Sequence, residues 1–508
     1  MRLYKKNYQQ VKQFLISIAI DLMAKTIVIG SGIAGIATAL RLRAKGHEVH
    51  VFESNSYPGG KLTEFELGGY RFDAGPSLFT MPMLVDELFQ LFGENPRQYF
   101  QYKKLGESCH YFYEDGTHFI CPADKDKLSN VLAEQNGENK HKIKAYLEKS
   151  AYLYDVTSPV FLENSLHKVS TYTSRNGIKG ILNLWKLNMF RSMNRHHERY
   201  FKHPRTVQLF NRFATYNGSN PYIAPATLSV IPHLEFGVGT YFPEKGMADI
   251  SKVLYDLALR QGITFQFNTR VESIISENKK IKGVRTKTGN YYCDNVVSNM
   301  DIYHTYDKLL KEHEMPEKVK DRESSSSALI FYWGISESFS QLGLHNIFFS
   351  NDYASEFNHI FEKGDMFEDP TVYINITSKH KTEDAPPGHE NWFVMVNAPA
   401  NNGQDWDNLI ASTKANILKK LSRHLGKDIN QLIQVEDILD PRLIEFKTSS
   451  YKGALYGGSS NSRMSAFFRH PNFKSDLEGL YLCGGSVHPG GGIPLCLRSA
   501  EIVSKLMV

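Results

Sequence analysis

Short apolar runs and helical periodicity alternate near the start of the chain. Residues 25–30 form an apolar run of strand length, residues 33–45 repeat apolar positions at helical spacing, and residues 48–53 form a second strand. That order predicts a βαβ unit whose parallel strands are buried on both faces. From about residue 86 to 240 the pattern is mixed, mostly helical and dense in aromatics. Residues 247–260 predict a helix, "ITFQFNTRVESII" (263–275) a pair of strands, and "YYCDNVVSN" ends in another buried strand. Between residues 303 and 445, stretches such as "ALIFYWGI" and "NWFVMVNA" alternate and predict a mostly antiparallel sheet. A strand in "GLYLCGG", a glycine-rich loop and a helix close the chain. No internal repeat or low-complexity segment interrupts this order.

At 508 residues the chain is long enough for two or three packed units. With 41% hydrophobic and 22% charged residues it has the composition of an ordered globular protein. A net charge of +5 over this length makes no case for nucleic acid, and no such partner is expected. Cys109, Cys121, Cys293, Cys483 and Cys496 are an odd number without a C-x-x-C. That argues against a disulfide framework or a metal site and for a reducing compartment. No apolar run is long enough to span a bilayer. The opening "MRLYKKNYQQVKQFLISIAIDL" places lysines before an apolar core, as a signal peptide does. Asp21 stands where small cleavage-site residues belong, so residues 1–23 are read as an extension.

The candidate chemistry begins in the βαβ unit. Gly30, Gly32 and Gly35 form G-x-G-x-x-G, with Ile33 and Ala34 between the last two. The first glycine permits the tight turn, the second lets the backbone approach a pyrophosphate, and the third lets helix and strand pack closely. The helix then meets phosphate charge with unpaired N–H groups. Glu53, at the end of the second strand, is placed to accept ribose hydroxyls. Gly59 and Gly60 of "PGG", followed by Lys61 and Leu62, let the chain fold back along a cofactor longer than NAD.

With "FDAGPSLF" after it, this stretch resembles the flavin amine oxidase superfamily. Within it, the stretch resembles the carotenoid desaturases of the bacterial phytoene desaturase type. Those enzymes read G-x-G-x-x-G, an acidic strand end, P-G-G-[RK] and F-D-x-G-P, then close on a strand, a glycine pair and H-P-G-x-G-I-P. "LEGLYLCGGSVHPGGGIPLCLRSAEIVSKLM" (477–507) is similar to that closing motif. The resemblance implies an α/β fold: a Rossmann-like FAD-binding domain of the GR2 flavoprotein type, with an inserted substrate domain of mixed sheet plus helices. FAD-binding parts are expected over 24–90, 244–302 and 447–508. A helical substrate or membrane-facing region is expected over 91–243, and a substrate-domain sheet over 303–446. Gly484, Gly485 and Ser486 are implied along the ribityl and phosphate side. Gly492 and Ile493 are implied beneath the ring, with the helix N-terminus aimed at it, and Val271 at the adenine.

The middle of the chain, including "RFATYNGSNPYIAPATLSVIPHLEFGVGTYFPEKGM", is most similar to 1-hydroxycarotenoid 3,4-desaturases. Phytoene desaturases and flavin-using carotenoid isomerases share the scaffold and remain alternatives. More distant are amine oxidases and prenyl-binding escort proteins. The implied reaction removes a hydride and a proton from a C–C bond beside a polyene, with FAD as oxidant. Glu235 is the candidate base, and pairing with Arg212 is its alternative; His233 and His488 are read as packing or loop histidines. Residues 175–205 hold eight Lys or Arg against one acid, Glu198. On one helical face Ile178, Ile181, Leu182, Trp185, Met189 and Met193 align, while Leu184, Leu187 and Phe190 fall off it. This is read either as an element lying on anionic lipid or as a core-facing cap. The expected partners are a carotenoid, a membrane surface, and quinone or oxygen as electron acceptor. The implied place is peripheral, on the cytoplasmic face of a membrane.

Overall fold

Five parallel strands, ordered Thr264–Gln266, Glu48–Phe52, Lys25–Ile29, Asn295–Ser298 and Leu480–Leu482, form the central sheet. The computed structural model that shows them describes residues 23–462, 465 and 468–507. All but the last residue of the expected N-terminal extension therefore lies outside the described residues. Alternation decides what each strand meets. Val28, Val51 and Val297 turn to one face, where helices Ile33–Ala44, Asp249–Arg260 and Ile493–Leu506 cover them. Ile27, Ile29 and Val296 turn to the other, against an antiparallel sheet of Val271–Glu277, Lys280–Thr286 and Gly289–Tyr292. The sheet is thus assembled from strands at the start, middle and end of the chain.

A second, seven-stranded sheet runs Ile433–Leu439, Ser327–Ile335, Glu390–Ala398, Val372–Ile376, His345–Phe348, Glu107–Phe112, His118–Pro122. Every pair is antiparallel except His345–Phe348 with Glu107–Phe112. Ser327–Ile335 is buried along its whole length. Its Leu329, Phe331 and Trp333 pack with helix Trp406–Leu425, and its Ile330 and Tyr332 face the other way with Phe393. That second face bounds the cavity described below.

Three expectations need correction. The region 91–243 is mostly helical, yet Glu107–Phe112 and His118–Pro122 are strands of the seven-stranded sheet. Glu107–Phe112 joins that sheet through His345–Phe348, more than two hundred residues away, and His118–Pro122 joins it through Glu107–Phe112, across a short turn. "ITFQFNTRVESII" does hold two strands, but Asn268 at φ +52° separates them and they join different sheets. Residues 303–446 also contain the helix Trp406–Leu425.

Residues 175–205 are not one helix either. Arg175–Asn183 is helical, Leu184–Leu187 tightens to a 3₁₀ turn, Asn188 adopts φ +52°, and Met193–Tyr200 begins a new helix. Met193 is fully buried on that second helix, so it does not share a face with Ile178. The side chains of Leu184 and Trp185 lie outside the described residues. Gly177 and Gly180 form the inward face of Arg175–Asn183. A Cβ at Gly180 would stand 2.6 Å from Cγ2 of Val160 on helix Lys140–Phe161. The apolar side chains consequently point outward, with Ile178 52%, Ile181 42% and Leu182 67% exposed.

Candidate functional site

The loop after the first strand and the P-G-G loop lie on one another. Gly30, at φ +93°, donates its N–H to Phe52 O at 2.8 Å and turns the chain into the helix. A Cβ on Gly35 would fall 2.1 Å from Gly30 O, so that glycine is a packing requirement. Gly59 donates to Ser31 O at 2.8 Å, and a Cβ on Gly60 would sit 3.3 Å from Gly32 Cα. Helix Ile33–Ala44 starts at Gly32 with no side-chain cap and no acid in its first turn, which leaves its N–H groups for an anion. Glu53 is buried beside it. Its carboxylate accepts the Ser31 N–H at 2.7 Å, the Ser31 hydroxyl at 2.9 Å and the Asn55 N–H at 2.8 Å. The acid therefore also holds the phosphate loop, a role the spacing alone does not reveal.

The chain's last segment forms the facing wall. Helix Ile493–Leu506 begins at Gly492, at φ +103°, again without a side-chain cap. Ser486 accepts the Ile302 N–H at 2.9 Å, and Gly484 donates to Ser499 Oγ at 3.1 Å. Lys61 donates to Leu455 O at 3.0 Å, and burial lowers its pKa. Arg469 donates to Tyr456 O at 2.8 Å, and burial pushes it down to about 10. Neither cation forms an ion pair among the described residues, whereas nearby Asp301 is paired with Arg322 at 2.8 Å. Sequence reading missed Arg469, which lies outside both glycine motifs.

These walls enclose a cavity of about 1050 Å³. Gly30, Gly32, Ile33, Ala34, Glu53, Gly59, Gly60, Lys61, Leu62, Val271, Gly485, Ser486, Gly492 and Ile493 all line it. Gly35 and Gly484 do not, and back the lining residues instead. Two uncapped helix N-termini, the Lys61 cation without a carboxylate, a buried acid and backbone without Cβ atoms suit a dinucleotide with a pyrophosphate and a ring that gains negative charge, while Arg469 backs the wall without lining it. The residues present fit FAD.

The cavity continues past the cradle onto Ile330, Tyr332 and Phe393 of the seven-stranded sheet and reaches Arg212 and Glu235. These two are brought together: one Arg212 Nη lies 3.0 Å from each Glu235 oxygen. Ser108 and Tyr216 also donate to the carboxylate. The guanidinium sits over the Phe213 ring at 4.4 Å, and the paired carboxylate raises its pKa against the opposing effect of burial. Ser108, Tyr216, His345 and Tyr373, none singled out from sequence, line the same arm. His488 bonds Asn164 O at 3.0 Å, and the His233 ring lies 5.2 Å from that of Tyr154, tilted by 44°; neither lines the cavity.

Comparison with known proteins agrees with this geometry. The 1-hydroxycarotenoid 3,4-desaturase of Flavobacterium sp. (strain P99-3) is 52% identical over 485 residues, covering 96% of this chain and 99% of that protein. The 4,4'-diaponeurosporene oxygenase of Staphylococcus haemolyticus is 28% identical, covering 94% and 96%. Cyclohexylamine oxidase from Brevibacterium oxydans superposes with a TM-score of 0.59 at 14% identity, covering 96% and 98%, which shows the shared fold. Residues 33–508 match the family described as flavin containing amine oxidoreductase. The chain belongs to that family and is an FAD-dependent oxidoreductase.

Proposed function

We propose that the enzyme desaturates a carotenoid, oxidising the C3–C4 bond of a 1-hydroxycarotenoid. The observation that carries this reading is the 52% identity, across nearly the full length of both chains, to a protein named for that reaction. The cavity supports it, since its inner arm offers an aromatic and aliphatic sheet face to an apolar chain. Residues 24–90, 244–302 and 447–508 serve as the FAD-binding portion in this reading, and 91–243 with 303–446 as the substrate portion.

Bound FAD supplies the two-electron oxidant. The chain's own residues do the rest. Gly30, Gly32 and the start of helix Ile33–Ala44 hold the pyrophosphate, Glu53 the ribose, and Gly485, Ser486 and Ile493 the ribityl and ring side. Ile330, Tyr332 and Phe393 align the polyene and exclude water. Loss of a hydride leaves a delocalised polyene cation whose neighbouring C–H is strongly acidic. Glu235 takes that proton; its donors Arg212, Tyr216 and Ser108 hold the carboxylate in place, and a weak base suffices for so acidic a C–H.

The substrate lies in a bilayer, and the enzyme meets it there by the exposed Ile178, Ile181 and Leu182. Val169 and Phe190 are also strongly exposed, and the surrounding lysines and arginines suit anionic lipid. Among the described residues no helix is long and apolar enough to cross a membrane. The cytoplasmic leaflet and a quinone or oxygen as final electron acceptor complete the reading.

The test is anaerobic addition of a 1-hydroxycarotenoid in liposomes to the yellow holoenzyme. The visible flavin band should bleach, product absorption should move to longer wavelength, and added quinone should restore the band. Bleaching by phytoene alone would favour phytoene desaturation. Isomerised product without bleaching would make the enzyme an isomerase.

A further inference from the structure

Among the described residues, two that line the cavity keep a buried nitrogen without a hydrogen-bond partner: Arg212 at Nε and His345 at Nε2. The protonation of His345 follows from its neighbours. Asn375 Nδ2 donates to Leu344 O at 3.0 Å, which identifies it as the amide nitrogen, and it also lies 3.2 Å from His345 Nδ1. Tyr373 hydroxyl stands 2.8 Å from the same Nδ1. Nδ1 is therefore the acceptor and Nε2 carries the hydrogen. His345 is 4% exposed, and burial pushes its pKa down to about 3, so the ring is neutral. Arg212 Nε–H is likewise a donor.

Both donors belong to one cluster. Strand His345–Phe348 pairs in parallel with Glu107–Phe112, Asn346 opposite His110, which sets His345 at the level of Cys109, the residue after Ser108. Ser108 donates to Glu235, and Glu235 is bridged to Arg212. The hydrogens of Ser108 and Tyr216 are committed to that carboxylate, so their oxygens remain as acceptors. A buried donor without a partner is costly, and a hydrocarbon chain cannot relieve it. An alcohol matches this wall: its oxygen accepts from the unused N–H groups and its hydrogen goes to Ser108 or Tyr216. Position agrees as well. A hydroxyl on C1 is two carbons from C3, so the group reading it must adjoin the reacting bond. The turn after Tyr216 lies toward the start of the final helix: a Cβ on Gly218 would meet Tyr456 at 2.8 Å, and Tyr456 packs on Gly491, two residues before that helix.

We infer that His345 and Arg212 recognise the 1-hydroxyl of the substrate's end group and determine the preference for hydroxylated carotenoids. This rests on the desaturase reading, and the test separates the two. Anaerobic flavin reduction is measured in liposomes with a 1-hydroxylated acyclic carotenoid and with its 1-deoxy counterpart. The ratio of the two kcat/KM values is compared between wild type, His345→Phe and His345→Gln. The expected result is a ratio lower by roughly ten-fold in His345→Phe and largely kept in His345→Gln, which retains an N–H donor. His345→Leu serves as the donor-free variant if the Phe protein does not fold with full flavin content. An unchanged ratio in the donor-free variant overturns the inference, and so does equal loss in the Phe and Gln variants, which would mark His345 as packing only. Reduction of the wild type by neither carotenoid would instead remove the desaturase reading itself.

Discussion

Glu235 lies on the cavity wall, bridged to Arg212. Its buried carboxylate accepts hydrogen bonds from Arg212, Tyr216 and Ser108. That set is the pairing weighed from the sequence as the alternative to a base, and it places the acid on the cavity wall, where the proton-accepting role is proposed. Neutralising one partner leaves the buried guanidinium uncompensated. Glu235→Gln should therefore lower stability to urea by about 3–5 kcal/mol, and adding Arg212→Met should recover much of that loss. Fully additive losses would show the two residues to be uncoupled. If the carboxylate takes the proton, the single variant with full flavin content should also reduce its flavin about a hundred-fold more slowly. Unchanged reduction would take Glu235 out of the chemistry. No local motif marks Ser108 or His345 for this site, because they reach it through pairing between distant strands, while Tyr216 reaches it on the 3₁₀ turn Arg212–Asn217 that also carries Arg212.

The helix Arg175–Asn183 shows what periodicity does and does not say. Its apolar and basic residues are legible in the sequence, but the direction of the apolar face is not. Periodic Ile and Leu residues ordinarily mark the buried side. Here Gly180 lets the backbone approach helix Lys140–Phe161, and Gly177 lets it approach the carbonyls of Thr171 and Tyr172, so that the glycine face is the buried one. The exposed face then predicts a binding experiment. Ile181→Asp with Leu182→Asp should weaken co-sedimentation with anionic liposomes by at least ten-fold, given about 1.5–3 kcal/mol for burying each such side chain. Wild-type binding should also fall as salt rises, because surface charge is screened within about 8–10 Å at physiological ionic strength. Flavin content should not change, since both positions are exposed and lie outside the cavity wall. Equal binding by variant and wild type would leave this helix without a lipid role.

At the scale of the whole molecule, FAD would bridge segments from the start, middle and end of the chain, since Gly32, Val271 and Ile493 all line one cavity. A ligand that binds only the folded state stabilises it by RT ln(1 + [L]/Kd), about 4 kcal/mol at a thousand-fold excess over Kd. Removing FAD with acid and refolding should give a protein that melts several degrees lower and regains its Tm when FAD is returned. The colour should leave with the supernatant, because burial raises the pKa of the Cys496 thiol on the cavity wall to about 11 and keeps it a poor nucleophile. Colour held by the precipitate, or an unchanged Tm without FAD, would count against this account. By itself the sequence determined the nucleotide unit, from the strand over 25–30 through Gly30, Gly32, Glu53 and Lys61 to the final helix at Ile493. Those elements are local: turn geometry, helix starts and strand periodicity are set by residues within a few positions of one another. Only the tertiary structure decided which strands meet, that residues 107–112 lie beside 345–348, that Arg469 adjoins the glycine loop, and that the face of Arg175–Asn183 carrying Ile178 turns to solvent. Those outcomes depend on contacts between segments far apart in the chain, where burial and backbone pairing, rather than any neighbouring residue, select the partner.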